Sequence, residues 1–215
     1  MTRVPIERRE RLSADGFYQE FLAGAGRPVI VTDAMGGWKA RSKWGLEFFK
    51  TRYGSDTVTV GTGASSRFVK VMKLAEYMDY IDSPSEKSPG FWMDQDKGLP
   101  LKQPPEPTTS PLYLSGWNPF RQHPELLEDV EPTPYFVDDW IPLLPPELRQ
   151  LLQETHFRPC WILIGPKGSI SRLHYDFFHT HAYLAQIIGR KKCILFSPKD
   201  SEILYNGQVD PERPD

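Results

Sequence analysis

The chain has 215 residues with 26 Lys+Arg against 28 Asp+Glu, and its net charge of −2 argues against a nucleic-acid-binding surface. Hydrophobic residues at 39% and aromatic residues at 13% supply a core and exclude bulk disorder. The 21 Pro and 16 Gly argue against a helical bundle and favour a fold rich in turns and strands.

The N-terminus, MTRVPIERRERL, is charged from its third residue and lacks the apolar stretch of a signal peptide. Arg27–Asp33 (RPVIVTD) is a β-branched run entered through Pro28 and reads as a strand. Trp44–Tyr53 places Trp44, Phe48 and Phe49 at helical spacing, with Gly54 as the glycine just past the helix end. Strands are expected at Thr57–Val60 and Arg67–Val71. A helix follows at Lys73–Ile81, its core face formed by Leu74, Tyr77, Met78 and Ile81.

Ser83–Pro111 holds seven prolines in 29 residues, a pattern hostile to helix and central strand alike. Its apolar anchors Phe91, Trp92, Met93 and Leu99 favour an ordered loop wrapped on the domain over a domain boundary. A short helix is expected from Pro145, with proline in its first turn. A dense strand series then begins. Pro159–Gly165 reads as a fully buried strand, Ser171–Asp176 alternates, Ala182–Ile188 is apolar, and Gly189–Arg190 turns into Lys191–Phe196. Such a series points to a sandwich or jelly roll. Cys160 and Cys193 lie in apolar runs and are expected as buried, reduced thiols. Cys160–Ile164, the longest apolar run, is far short of the ~20 residues that span a bilayer. A soluble cytoplasmic protein with no membrane partner is expected, with a nuclear location left open for a eukaryotic source.

Three of the five histidines fall within HYDFFHTH: His174, His179 and His181, with Asp176 between them. On a strand, residues i and i+2 share a face, so His174 and Asp176 present an imidazole and a carboxylate side by side. This is two-thirds of the 2-His-1-carboxylate set that holds non-haem iron with open coordination positions. Lys191 lies 17 residues beyond His174, where antiparallel pairing returns it to the same neighbourhood. An ammonium there needs an anion, which a dicarboxylate cosubstrate supplies, and Ser171 and Tyr113 are candidate hydroxyl donors to it. His179 and His181 are alternatives for a local metal site, with zinc as suitable as iron, although pocket-lining or hydrogen-bonded roles suit them better. His123 and His156 show no sign beyond surface or local structural roles.

Between Cys160 and Pro198 the sequence WILIGPKGSISRLHYDFFHTHAYLAQIIGRKKCILFSP resembles the JmjC group of cupin-like Fe(II)/2-oxoglutarate oxygenases. The shared pattern is a Trp strand, a Gly-Ser turn, H-x-D, and a Q-x-x-G-x-K strand ending in Phe and Pro. RPVIVTDAMGGWKA, WGLEFFKTRYG and LLEDVEPTPYFVDDW are similar to the N-terminal and middle elements of the branch that includes lysyl and asparaginyl hydroxylases.

The resemblance implies a mainly β fold with flanking helices (α+β), a double-stranded β-helix of jelly-roll type incomplete at the C-terminus. Residues 1–110 would form an α/β elaboration with the Pro-rich loop, and 111–215 the first part of the barrel, in one structural domain. His174 and Asp176 become iron ligands, with the third ligand expected beyond Asp215, so the chain reads as a fragment of a longer protein. Lys191, Ser171 and Tyr113 become the groups that hold 2-oxoglutarate. The implied enzyme consumes O2 and 2-oxoglutarate, releases succinate and CO2, and hydroxylates a C–H bond, on a protein or peptide side chain. Where relatives carry Asn on the strand after H-x-D, this chain has Leu184. An N-methyl demethylase using the same iron chemistry and a non-catalytic cupin-like binding module are the alternatives. Substrate identity and oligomeric state are left open.

Overall fold

The computed structural model describes residues 4–24, 26–62, 66–84, 88–105, 110–135, 144–154, 160–174, 176, 181–200 and 202–204. The chain gathers into two compact units, one from Met1–Lys43 and Phe120–Pro159, the other from Trp44–Pro119 and Cys160–Asp215.

In the first unit β1 (Glu7–Arg9) runs parallel to β2 (Val29–Val31), with Glu7 opposite Val29. The helix α1 (Ala14–Phe17) between them is capped by Ser13, whose Oγ accepts from the Gly16 amide at 3.0 Å. It continues into a wider turn, Tyr18–Leu22, that buries Phe21. The guanidinium groups of Arg9 and Arg27 lie 5.6 and 4.3 Å from the centre of the Phe21 ring while pairing with Glu7. Both arginines thus cover an apolar face and keep their charges neutralised. Lys43, the last residue of the helix α2 (Ala40–Lys43), meets the buried carboxylate of Asp129 at 2.8 Å. The Tyr135 hydroxyl donates to the carbonyl of Leu12 at 2.9 Å. The helix α5 (Pro146–Glu154) begins at a proline, as its sequence predicts.

The second unit holds the larger sheet. Its strands β3 (Thr57–Val60), β4 (Phe68–Lys73), β5 (Phe91–Asp94) and β6 (Leu99–Pro100) are antiparallel neighbours in chain order. The helices α3 (Leu46–Tyr53) and α4 (Leu74–Asp82) pack on each other. Val58 and Val60 of β3 and Met72 of β4 are buried, together with Leu74, Tyr77 and Met78 of α4. A second two-stranded sheet pairs β7 (Leu114–Trp117) with β8 (Ile162–Ile164). Trp117 places its ring edge-on to Phe49 at 5.5 Å, and Trp44 meets Phe49 at the same separation. Lys70 of β4 is buried as well, its ammonium donating to the carbonyl and hydroxyl of Ser88. Burial lowers its pKa, against a smaller opposing pull from the Glu76 charge.

Five expectations are corrected. The Pro-rich stretch forms β5 and β6, with β5 inside the four-stranded sheet, because its prolines fall outside Phe91–Asp94 and leave that ladder its donors. Gly54 ends α3 in the right-handed region (φ −59°), not the left-handed one. Glycine is needed there for space, since a Cβ would collide with the Lys50 carbonyl and sit 2.9 Å from Ala75 of α4. β8 is half-exposed rather than fully buried, Trp161 and Leu163 being exposed, because β7 is its sole ladder partner among the described residues.

The fourth correction concerns the strands expected at Ser171–Asp176, Ala182–Ile188 and Lys191–Phe196. None of them joins a ladder among the described residues, and Leu184, Ile188, Ile194 and Leu195 are exposed. An apolar run becomes a strand only through a neighbour that takes up its backbone groups. Cys160 and Cys193 are likewise exposed rather than buried. Among the described residues no helix is long and apolar enough to cross a membrane.

Candidate functional site

The site is built on α4, which sends Tyr77 between β7 and β8. The Tyr77 hydroxyl donates to the carbonyl of Ile164 at 2.7 Å and accepts from the amide of Leu114 at 3.1 Å. It also lies 3.1 Å from the Leu112 carbonyl. Tyr80, next on the same helix, accepts from the Leu112 amide at 2.9 Å. Burial pushes the Tyr77 phenol far above its ordinary range, so it stays a neutral donor. Together the two tyrosines pin residues 112–114 and thereby fix Tyr113. Sequence periodicity marks both as core; that a buried phenol needs a partner is the signal for their second role.

Tyr113 is buried and exchanges two backbone bonds with Gly61, at 2.6 and 3.1 Å. Its ring passes over Gly165, where a Cβ would sit 2.7 Å from Tyr113 Cδ2 and 2.9 Å from Ser169 Cβ. Gly165 therefore has to be glycine for close approach, and it sits directly after β8. The chain then turns through Gly168 at φ +94°, a conformation that glycine adopts freely. Ser169 closes this turn on the Pro166 carbonyl through its amide at 3.2 Å and its hydroxyl at 2.9 Å. Two residues on lies Ser171, half-buried.

His174 and Asp176 follow, and their side chains come together: Nε2 of His174 is 3.8 Å from Oδ1 of Asp176. The other ring nitrogen, Nδ1, lies 2.6 Å from the carbonyl of Arg172. A carbonyl only accepts, so in the neutral ring Nδ1 carries the proton and Nε2 presents its lone pair on the Asp176 side. A backbone carbonyl against the other ring nitrogen is a contact that orients histidines for metal binding. The pair separation is shorter than two metal–ligand bonds of ~2.0–2.2 Å laid end to end, so both atoms can touch one ion. One imidazole and one carboxylate form a donor set suited to iron or zinc. Both side chains are more than a third exposed, which leaves the pair open to solutes.

The remaining candidates are more dispersed. Lys191 is exposed and has no ion-pair partner among the described residues, and the ladder that would return it to His174 does not form there. His181 is exposed, and His123 faces Glu125 at 4.0 Å. His156 and His179 lie outside the described residues. Among the described residues no three His, Cys, Asp or Glu side chains cluster as a metal site, so the pair is a two-donor set. Arg172, whose carbonyl fixes the imidazole, carries no sequence signal, because any residue supplies a backbone carbonyl.

Residues 14–215 match the family model described as the cupin-like domain. The chain belongs to the cupin-like domain family. The family implies a jelly-roll fold, and the sheets and helices described above accord with it. Among its relatives is the arginine-specific demethylase JMJ20 of Arabidopsis thaliana, 24% identical over 92% of this chain and 42% of that protein. The 2-oxoglutarate and iron-dependent oxygenase JMJD4 of Gallus gallus is 24% identical over 93% of this chain and 44% of its own. Lysine-specific demethylase 8 of Xenopus tropicalis is 29% identical over 88% and 38%. The chain thus spans less than half the length of these relatives. The JmjC resemblance carried by HYD and the G-x-K strand is borne out by these names.

Proposed function

We propose that this cupin-like chain carries the metal-binding half-site of an Fe(II)- and 2-oxoglutarate-dependent oxygenase that hydroxylates a C–H bond on a protein side chain. The observation that carries the reading is the pairing of His174 with Asp176, with the imidazole held through Nδ1 against the Arg172 carbonyl. The name of the JMJD4 relative, which specifies 2-oxoglutarate and iron, supports the same assignment. In this reading His174 and Asp176 hold the ion. The bound iron and 2-oxoglutarate supply the oxidising chemistry, with succinate and CO2 as co-products. Lys191 neutralises the distal carboxylate of the cosubstrate, and Ser171 and Tyr113 donate hydrogen bonds to it. The double-stranded β-helix is the architecture that would bring Lys191 to the iron pair, with residues 111–215 contributing its first strands.

N-methyl demethylation is the second reading, favoured by the demethylase names of two relatives. The two share one oxidation and differ in the product. The test is succinate release by the full-length protein on a candidate protein substrate. His174→Ala and Lys191→Ala are each expected to abolish it, and wild-type turnover by His174→Ala would overturn the proposal. A stable gain of one oxygen in the product mass supports hydroxylation, whereas formaldehyde release assigns demethylation.

A further inference from the structure

Among the described residues the large sheet and the β7–β8 sheet meet at a seam that opens after a single bridge. Leu74 donates to the Asp56 carbonyl at 2.8 Å, in register with the β3–β4 ladder. In an antiparallel ladder alternate residues bond to the same neighbour. Val58 and Val60 therefore bond to β4, while Thr57, Thr59 and Gly61 turn their N–H and C=O groups the other way, toward β7. Gly61 does meet β7, through its two bonds to Tyr113. Continuing that register would pair Thr59 with Ser115 and Thr57 with Trp117. Neither pair forms. The irregularity in β7 between Leu114 and Trp117 accounts for the parting, because a bulge adds twist and bends its strand away.

Those four residues line a cleft of about 320 Å³, to which Ser66 and Gln95 add a hydroxyl and an amide. Its described lining carries no charged side chain. The nearby ammonium of Lys73 is engaged by the Ser55 carbonyl and the Thr57 hydroxyl. The Gly61–Tyr113 bridge closes one end, so a whole strand cannot thread between β3 and β7.

We propose that this cleft is a binding site for a small neutral ligand bearing a carboxamide, which replaces the missing ladder partner of Thr59. A carboxamide offers one acceptor and adjacent donors, matching the open N–H and C=O of a strand edge. The neutral lining disfavours ionic ligands, since a charge brought into it would lose hydration without a counter-charge. The site is independent of the proposed iron chemistry.

The test is an amide-resolved NMR titration of the 215-residue chain with N-acetylglycinamide, using acetate and methylammonium as charged controls. Saturable shifts are expected at Thr57, Thr59, Ser115 and Gly116, with the Thr59 amide moving downfield and the charged controls producing none. A Cβ at Gly116, which lines the cleft, meets no atom within 4 Å, so the position accepts a side chain. Gly116→Trp is the variant expected to obstruct the cleft and abolish the shifts. Absence of saturation, equal shifts with acetate, or shifts that persist in a folded Gly116→Trp would each overturn the proposal. The wild-type titration decides on its own if that variant misfolds.

Discussion

At the scale of single residues, two side chains organise the site by bonding to backbone rather than to one another. The Tyr77 hydroxyl serves the Ile164 carbonyl and the Leu114 amide, and the His174 ring nitrogen serves the Arg172 carbonyl. Removing the first should be costly, since both backbone groups are then left without that partner in a buried place. Tyr77→Phe is expected to destabilise the chain by about 1–3 kcal/mol, read as a lower midpoint in urea with an unchanged slope. An unchanged midpoint would mean that the two strands do not depend on this hydroxyl. At this scale the sequence was partly legible. HYD names the candidate metal pair by residue type and spacing. The groups that orient it are invisible, because a backbone carbonyl looks the same under every side chain.

Elements were legible where their pattern is local. β3, β4, α3 and α4 form within a residue or two of the boundaries their periodicity predicts. The Pro-rich stretch hides its strand because proline density is a property of the whole segment, whereas β5 needs only four residues free of proline. What ends β5 is Asp94, buried and bonded to Arg67 at 2.9 Å and to the Asp96 and Lys97 amides at 3.1 and 3.3 Å. The Arg67 guanidinium first, and then those amides, hold its carboxyl below the usual range. A folded pKa below the unfolded one contributes stability that is complete above the unfolded value, near pH ~3.9, and is lost as pH falls through the folded value. The stability difference between wild type and Asp94→Asn should therefore be constant at neutral pH and shrink below about pH 4 in thermal melts. A difference that does not vary with pH would show that the charge contributes nothing to folding.

On the scale of the whole molecule, the match over residues 14–215 assigns the family, while the described residues form two-, four- and two-stranded sheets rather than a closed barrel. The apolar runs around Leu184 and Ile194 show why this level was least legible. Their composition marks them as strand material, but a strand's register and partner lie elsewhere in the chain, and no local pattern encodes them. The H-x-D pair, in contrast, comes together without any ladder, since the two residues are close in sequence. This pair is the proposed metal-holding unit, and the most direct measurement is a metal titration of the chain. Mn(II), a spectroscopic stand-in for Fe(II), can be followed by electron paramagnetic resonance. The account predicts one bound ion per chain, with affinity falling on the order of 10–100-fold or more in His174→Ala and in Asp176→Ala, at least the loss that outer-shell changes cause. Equal binding by the wild type and both variants would contradict it.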